Sequence, residues 1–222
     1  MEVLPIKSIE TYPWLLEKHY AKRICPISYA FGVYIDGKLL GIVTYGVPAS
    51  SPLRSGLCGD DWKDNVLELN RLVCDNKKNI ASCLIGRSLQ LLPKPSIVVS
   101  YADTAQGHIG YVYQATNFHY TGLSEKRTDW KLKGMEHLHG ATIADISRGQ
   151  EHRAEWMKEN YGDSFYLEDR PRKHRYVYFC GGKRDKRKMI ASLKYPICEY
   201  PKGDSLRYEA GGEVMTQGIL AI

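Results

Sequence analysis

The sequence predicts a mixed α/β protein with one central, mostly antiparallel sheet, helices packed on its faces, and a basic C-terminal extension. Three observations predict it. Apolar runs of strand length alternate with helical patterns between residues 29 and 123. An Asp36-Gly37-Lys38 turn joins two runs rich in Val, Ile and Tyr, as in a β-hairpin. Positive charge is concentrated late: residues 170–194 hold ten basic side chains and one acid, +9, so the rest sums to −3 within a net charge of +6. A length of 222 residues suits a single domain over 1–222, with its core at about 8–125 and the basic extension at about 145–222.

The elements follow in order. Residues 11–23 read as a helix, with Pro13 in its first turn and Leu15, Leu16, His19 and Tyr20 grouped by helical spacing. Residues 29–35 and 39–46 form the hairpin. Residues 48–62, rich in Ser, Gly and Pro, read as a loop. Residues 65–74 form a strand, 75–79 a polar connection, and 81–92 a helix stopped by Pro93. The run Ser-Ile-Val-Val-Ser-Tyr-Ala at 96–102 is a buried strand, 107–116 a short helix and 118–123 a strand. Residues 148–161 form a polar helix closed by Gly162, 175–180 a strand and 185–193 a basic helix.

Composition excludes several classes. Hydrophobic residues at 43% and charged residues at 25% are ordinary for a globular protein, against disorder, collagen or a global coiled coil. The longest stretch without Asp, Glu, Lys or Arg, 104–124, contains Gln106, His108, Gln114, Asn117 and His119, so it is no lipid-spanning helix. The first residues lack the basic segment and apolar run of a signal peptide. Cys25, Cys58, Cys74, Cys83, Cys180 and Cys198 are scattered without a Cys-x-x-Cys pair, which reads as free thiols in a reducing cytoplasm.

The segment 100–117 carries the densest chemical signal. It leaves the C-terminal end of an apolar strand and enters a helix, the edge where open α/β sheets bind ligands. Asp103 is the single formal charge between Pro95 and Ser124. Its readings are a base, an acceptor for a substrate N–H, a metal ligand, or a cap for the next helix. Tyr111 and Tyr113, two apart, point in different directions on a helix, one toward core and one toward a site. His108, near a helix start, reads as neutral. In the strand at 66–74, Glu68 and Asn70 share one face by the two-residue period and Arg71 takes the other. Arg71 suits a phosphate or carboxylate, or a structural ion pair. His137-x-His139 is half of a metal site with no third ligand fixed, so a metal stays unassigned. The basic block suits a phosphate-rich partner, or a merely solvated surface.

A hairpin feeding a strand–helix–strand–helix–strand run is the order of GCN5-related N-acetyltransferase (GNAT) folds. The residue strings are more specific. Glu68-Leu69-Asn70-Arg71-Leu72-Val73-Cys74-Asp75-Asn76, Ile85-Gly86-Arg87-Ser88-Leu89-Gln90-Leu91-Leu92-Pro93, Ser100-Tyr101-Ala102-Asp103 through Gln114-Ala115-Thr116-Asn117-Phe118, and Tyr120-Thr121-Gly122 resemble the phage DNA-modification family Mom over residues 30–125. The resemblance implies a GNAT-like transferase that converts adenine in DNA to N6-carbamoylmethyladenine, shielding phage DNA from host restriction in the bacterial cytoplasm. It implies Arg71, Ser82, Asp103 and Tyr113 as functional residues, with Asp103 meeting the exocyclic amine, Tyr113 donating a proton or stacking on the base, and Arg71 anchoring donor or phosphate. Lys77, Lys78, Ser82 and Arg87 fall to the donor. Double-stranded DNA with a flipped adenine is the implied partner, held through Arg172, Lys173, Arg175, Lys183, Arg184, Lys186, Arg187 and Lys188. One departure stands out. The Arg/Gln-x-x-Gly-x-Gly/Ala turn of acetyltransferases is replaced by Asn76-Lys77-Lys78-Asn79-Ile80-Ala81, without a glycine before Gly86. The product, moreover, carries CH₂ on the adenine nitrogen where acetyl transfer would put a carbonyl. The donor is thus acetyl-CoA, with a later rearrangement and added nitrogen, or a glycine-like compound. An acetyltransferase acting on a protein or small amine, and a non-catalytic nucleic-acid-binding module, are the rival readings.

Overall fold

The structure, a computed structural model, describes residues 1–75, 77–138 and 140–203. The chain forms two compact units, one from Met1–Leu123 with the segment starting at Lys173, the other Ser124–Arg172. The expected division into a core at 8–125 and an extension from 145 gives way to this one, because the late strand belongs to the main sheet.

The first unit is built on seven strands: β1 Glu2–Pro5, β2 Tyr29–Ile35, β3 Lys38–Gly46, β4 Val66–Cys74, β5 Ser96–Asp103, β6 His119–Leu123 and, late in the chain, β9 Lys173–Cys180, in spatial order β1-β2-β3-β4-β5-β9-β6. Only β4 and β5 run parallel. The mixed, mostly antiparallel sheet is as expected, and the hairpin turn forms on the predicted residues, with Asp36 and Gly37 both left-handed at φ 50° and 75°. The strand expected at the head of the tail, 175–180, is β9, inserted between β5 and β6.

Helices cover both faces. On one, α3 (Ile80–Leu91) buries Ile80, Leu84, Ile85 and Leu89 against Leu67, Leu69 and Val98. Those four aliphatic side chains contribute roughly 6–12 kcal/mol of gross burial. The chain leaves the helix at Leu92, ahead of Pro93. On the other face, α2 (Ser51–Cys58) and α7 (Lys183–Ala191) bury Leu57, Cys58 and Met189 against Val66, Ile97, Val99, Val177 and Phe179. The helix α2 occupies part of the expected loop, since Pro52 is tolerated at its first turn and Gly59, at φ 89°, ends it. The helix expected at 11–23 is shorter. A helix α1 (Ser8–Pro13) runs into a π turn, Trp14–Lys18, and His19 is already extended. The short helix at 107–116 contracts to α4 (Tyr111–Ala115), because Gly107 and Gly110 are left-handed.

The second unit pairs β7 (Arg127–Leu132) with β8 (Phe165–Arg170) and adds α5 (Gly140–Asp145) and α6 (Arg153–Tyr161) around Leu132, Ile143, Met157 and Phe165. Both strands lie in stretches too charged to show an apolar period. All six cysteines are free.

One irregularity decides the site. The β3–β4 register slips between Thr44 opposite Arg71 and Tyr45 opposite Leu69, leaving Asn70 as a bulge. Leu67 and Leu69 pack in the α3-side core, and so do Leu72 and Cys74, so the alternation breaks once between them. Arg71 therefore returns to the side of Glu68. This corrects the expectation that the two-residue period puts Arg71 on the other face.

Candidate active site

The strands β4 and β5 pair through Val66–Glu68 and Ile97–Val99, and their ladder goes no further. Beyond it they diverge toward their C-terminal ends, bridged where the Ser100 hydroxyl donates to the Leu69 carbonyl at 3.0 Å. The opening is lined, on the α2/α7 side, by charged groups from three strands. Asp103 ends β5, Glu68 and Arg71 come from β4, and Lys173 begins β9 directly opposite Asp103.

Each charge is held by neighbours. One Asp103 oxygen accepts the Ala105 N–H at 3.0 Å, capping the 3₁₀ turn Thr104–Gln106; the other lies 3.1 Å from Lys173 Nζ. The cap reading and the acidic-site reading are both realised in one side chain. The Arg71 Nη1 donates to the Asn70 carbonyl at 2.6 Å, while its Nε is buried without a hydrogen-bond partner. Buried polar groups of this kind are normally satisfied by protein, an ordered water, an ion or a ligand. The bulge that aims Arg71 is clamped. The Asn70 amide donates to the Pro26 carbonyl at 2.8 Å and accepts from the Thr44 hydroxyl at 2.6 Å. Gly46 admits this approach, since a Cβ there would collide with the Pro26 carbonyl. Burial raises Glu68 above the usual carboxylate range, with Arg71 and Lys173 pulling the other way.

Two histidines and a tyrosine close the mouth. Burial, then the charges of Arg71 and His108, lower His19 to about 4, and its Nδ1 accepts the Ala21 N–H at 3.0 Å. The ring is thus neutral with its proton on Nε2. Tyr20, 46% exposed, stacks on it at 4.4 Å and meets His108 edge-on at 6.4 Å. His108 is lowered by burial, with Asp103 opposing. Tyr113 plugs the opening from the α3 side. It is 8% exposed, its ring lies against Phe118 and Tyr176 at 5.4 and 5.2 Å, and burial pushes its phenol up to about 12 despite a hydrogen bond to Ser100. A hydroxyl of this kind serves as a hydrogen-bond donor. The enclosed ring has no free face for a base, which corrects the stacking alternative; Tyr111, 44% exposed, is the outward member of the pair.

On the α3 face, Asn79, Ser82, Gly86, Gln90, Thr116 and Asn117 are among the residues lining an uncharged groove of about 520 Å³ between α3 and α4. Ser82 sits in the first turn of α3 with its hydroxyl on the Asn79 carbonyl at 3.2 Å.

A profile of the Mom protein family matches residues 1–202. The chain belongs to the Mom family. The "Methylcarbamoylase mom" of Escherichia phage Mu is 29% identical over 192 residues, covering 83% of this chain and 77% of that protein. Among solved structures, an N-acetyltransferase from Staphylococcus aureus is 14% identical, covers 81% of this chain and 98% of its own, and has a TM-score of 0.42. A ribosomal-protein-alanine N-acetyltransferase from Brucella melitensis is 7% identical, covers 81% and 99%, and has a TM-score of 0.43.

In this Mom-family chain, Lys173 pairs with Asp103 and acts with Arg71 on Glu68, Tyr113 is buried on the α3 side, and Ser82 lines the groove. Lys77 and Lys78 are exposed beside the start of α3, and Arg87 is exposed on α3 outside the residues that line the groove. Of the expected DNA-binding residues, Arg175 is a correction. It is 7% exposed, donates to the Thr121 hydroxyl and carbonyl at 2.9 and 3.0 Å, and stacks over Tyr195 at 3.5 Å, so no phosphate reaches it. The Arg172 Nε donates to the Ser124 carbonyl. Lys183, Arg184, Arg187 and Lys188 are exposed on α7, and Lys186 lies 5.5 Å over the Tyr178 ring. His139 and residues 204–222 lie outside the described residues. Among the described residues no three His, Cys, Asp or Glu side chains gather as a metal site. Sequence reasoning named Glu68, His19, Tyr20 and His108 without assigning them. The signal for Glu68 was present, an acid inside an apolar strand, but its neighbours come from distant segments.

Proposed function

We propose that this chain is a DNA-modifying transferase that converts adenine to N6-carbamoylmethyladenine and so protects phage DNA from restriction in the host cytoplasm. Membership of the Mom family and the phage Mu relative's name support the reaction class. The single observation that carries the reading to residues is the diverging β4–β5 ends, where Asp103, Arg71, Glu68 and Lys173 converge.

The target amine is inside the duplex, so the base is flipped out before reaction. Tyr20, exposed and backed by His19, is the ring on which the base stacks. Asp103, oriented by the Ala105 N–H, accepts a hydrogen bond from the exocyclic amine and is placed to take its proton. Arg71 offers its guanidinium to an oxygen of the donor or to a DNA phosphate. Tyr113 donates a hydrogen bond from the groove side, where Ser82 positions the donor's small end. The exposed cations of α7 supply sequence-tolerant affinity for the DNA backbone.

A CoA-type donor would find the first-turn amides of α3 with Lys77, Lys78 and Ser82. The fit to its pyrophosphate is poor, because no glycine stands between Asp75 and Ala81 to let a phosphate approach. A glycine-like donor asks nothing of that turn. Mass spectrometry of nucleosides from plasmid DNA, with and without expression, tests the function. A heavier deoxyadenosine with expression supports it; unmodified adenine alongside an acetylated protein or amine would favour the rival acetyltransferase.

A further inference from the structure

The cation at the start of β9 does not sit among the α7 cations. Lys173 is placed by the sheet itself. Its residue pairs with Asp103 in the β5–β9 ladder, so both side chains leave the same face, and Nζ lies 3.1 Å from Asp103 Oδ2. The second Asp103 oxygen is taken by the Ala105 N–H, so Lys173 completes the fixation of that carboxylate. The same ammonium acts on Glu68 across the β4–β5 opening, where Arg71 is the other cation. Its side chain is 40% exposed, against 15% for Asp103, so the pair stands at the rim of the cleft. The α7 cations start beyond Cys180, at the opposite end of β9, and Arg175, two residues along from Lys173, is committed to Thr121 and Tyr195.

We propose that Lys173 is a positioning residue of the modification site, aligning the Asp103 carboxylate and countering Glu68, and does not bind the DNA backbone. This rests on the reading of the cleft as the modification site. The two roles predict opposite results. Removing a cation that neutralises a DNA phosphate reduces the salt dependence of binding by about 0.9 per phosphate. Removing a positioning residue leaves that slope alone and lowers turnover. A partly exposed ion pair adds little stability, so neither role predicts unfolding.

The experiment compares Lys173→Gln, Lys173→Arg and Lys183→Gln with the wild-type chain. It reads adenine modification in cells, the salt slope of duplex binding by the purified proteins, and the Glu68 carboxyl titration by NMR. The groups facing this cluster are Asp103, Glu68, Arg71, His108, His19, Tyr20 and, from the α3 side, Tyr113, and all are retained in these variants. The expected result is at least a tenfold loss of modification in Lys173→Gln, substantial recovery in Lys173→Arg, an unchanged salt slope, and a Glu68 midpoint moved upward. Lys183→Gln leaves the Glu68 midpoint in place. A slope reduced by about one in Lys173→Gln, with Glu68 unmoved, would overturn the proposal. If the wild-type chain modifies no adenine, the function fails by itself; the Glu68 titration still decides whether Lys173 governs this cluster, and an unmoved midpoint refutes it.

Discussion

Replacing Arg71 by Met separates a residue kept for its ligand from one kept for the fold. The guanidinium gains one charge-assisted bond, Nη1 to the Asn70 carbonyl at 2.6 Å, about 1.5–3 kcal/mol. Against it stands the buried, unpartnered Nε, which costs about 1–3 kcal/mol. Met keeps most of the aliphatic packing and removes both effects, so they offset to within about 1 kcal/mol. For a chain of this size that is a melting shift of about 2–4 °C in either direction. Modification of DNA should meanwhile fall to background, and Arg71→Lys should not restore it, because an ammonium lacks the planar fork. The assay is a thermal melt beside nucleoside mass spectrometry. A melting point lowered by more than about 8 °C is the size expected for breaking a buried pair at about 3–5 kcal/mol. That result would refute the argument and make Arg71 a structural residue.

The other expectations concern the cleft, the basic helix and the donor. Asp103→Asn keeps an acceptor for the Ala105 N–H and removes the proton acceptor, so a folded protein with no modification is expected; wild-type levels would remove Asp103 from the chemistry. Changing Lys183, Arg184, Lys186, Arg187 and Lys188 to Gln should reduce the salt slope of DNA binding by about 0.9 for each phosphate no longer neutralised, and an unchanged slope places the DNA surface elsewhere. His19, lowered from 6.5 to about 4, is neutral in the fold and protonates more readily once unfolded, so its contribution is present above about 6.5 and is lost as pH falls toward 4. His19→Gln should flatten the acid side of the melting profile across that window, and an identical profile would discount His19. Calorimetry should find acetyl-CoA bound no tighter than about 100 μM, near −5.5 kcal/mol, and a low-micromolar value would restore CoA as the donor.

Local chemistry was legible in the sequence where one segment decides its own structure. The hairpin boundaries follow from Asp36-Gly37, α3 is bounded by Pro93, and β5 reads as a buried apolar run that delivers Asp103 to a sheet edge. What stayed hidden depends on partners far along the chain. The position of β9 between β5 and β6 brings Lys173 to Asp103 from seventy residues away. Residues 173–175 therefore read as part of a basic tail while serving the cleft and the core. The Asn70 bulge has no signature of its own in a single sequence; the clamp from Thr44 and Pro26 creates it and turns Arg71 toward Glu68. The α2 helix was masked by Pro52 and its glycines, and β7 and β8 by charges that leave no period.

The central claim is that the charged cleft modifies adenine in DNA. Fragmentation mass spectrometry of the deoxyadenosine from plasmid DNA of expressing cells tests it most directly. A carbamoylmethyl group on the base nitrogen, with CH₂ attached to N6, is the predicted result. Unmodified deoxyadenosine from cells containing soluble, folded protein, or a base bearing an acetyl carbonyl on N6, would contradict it.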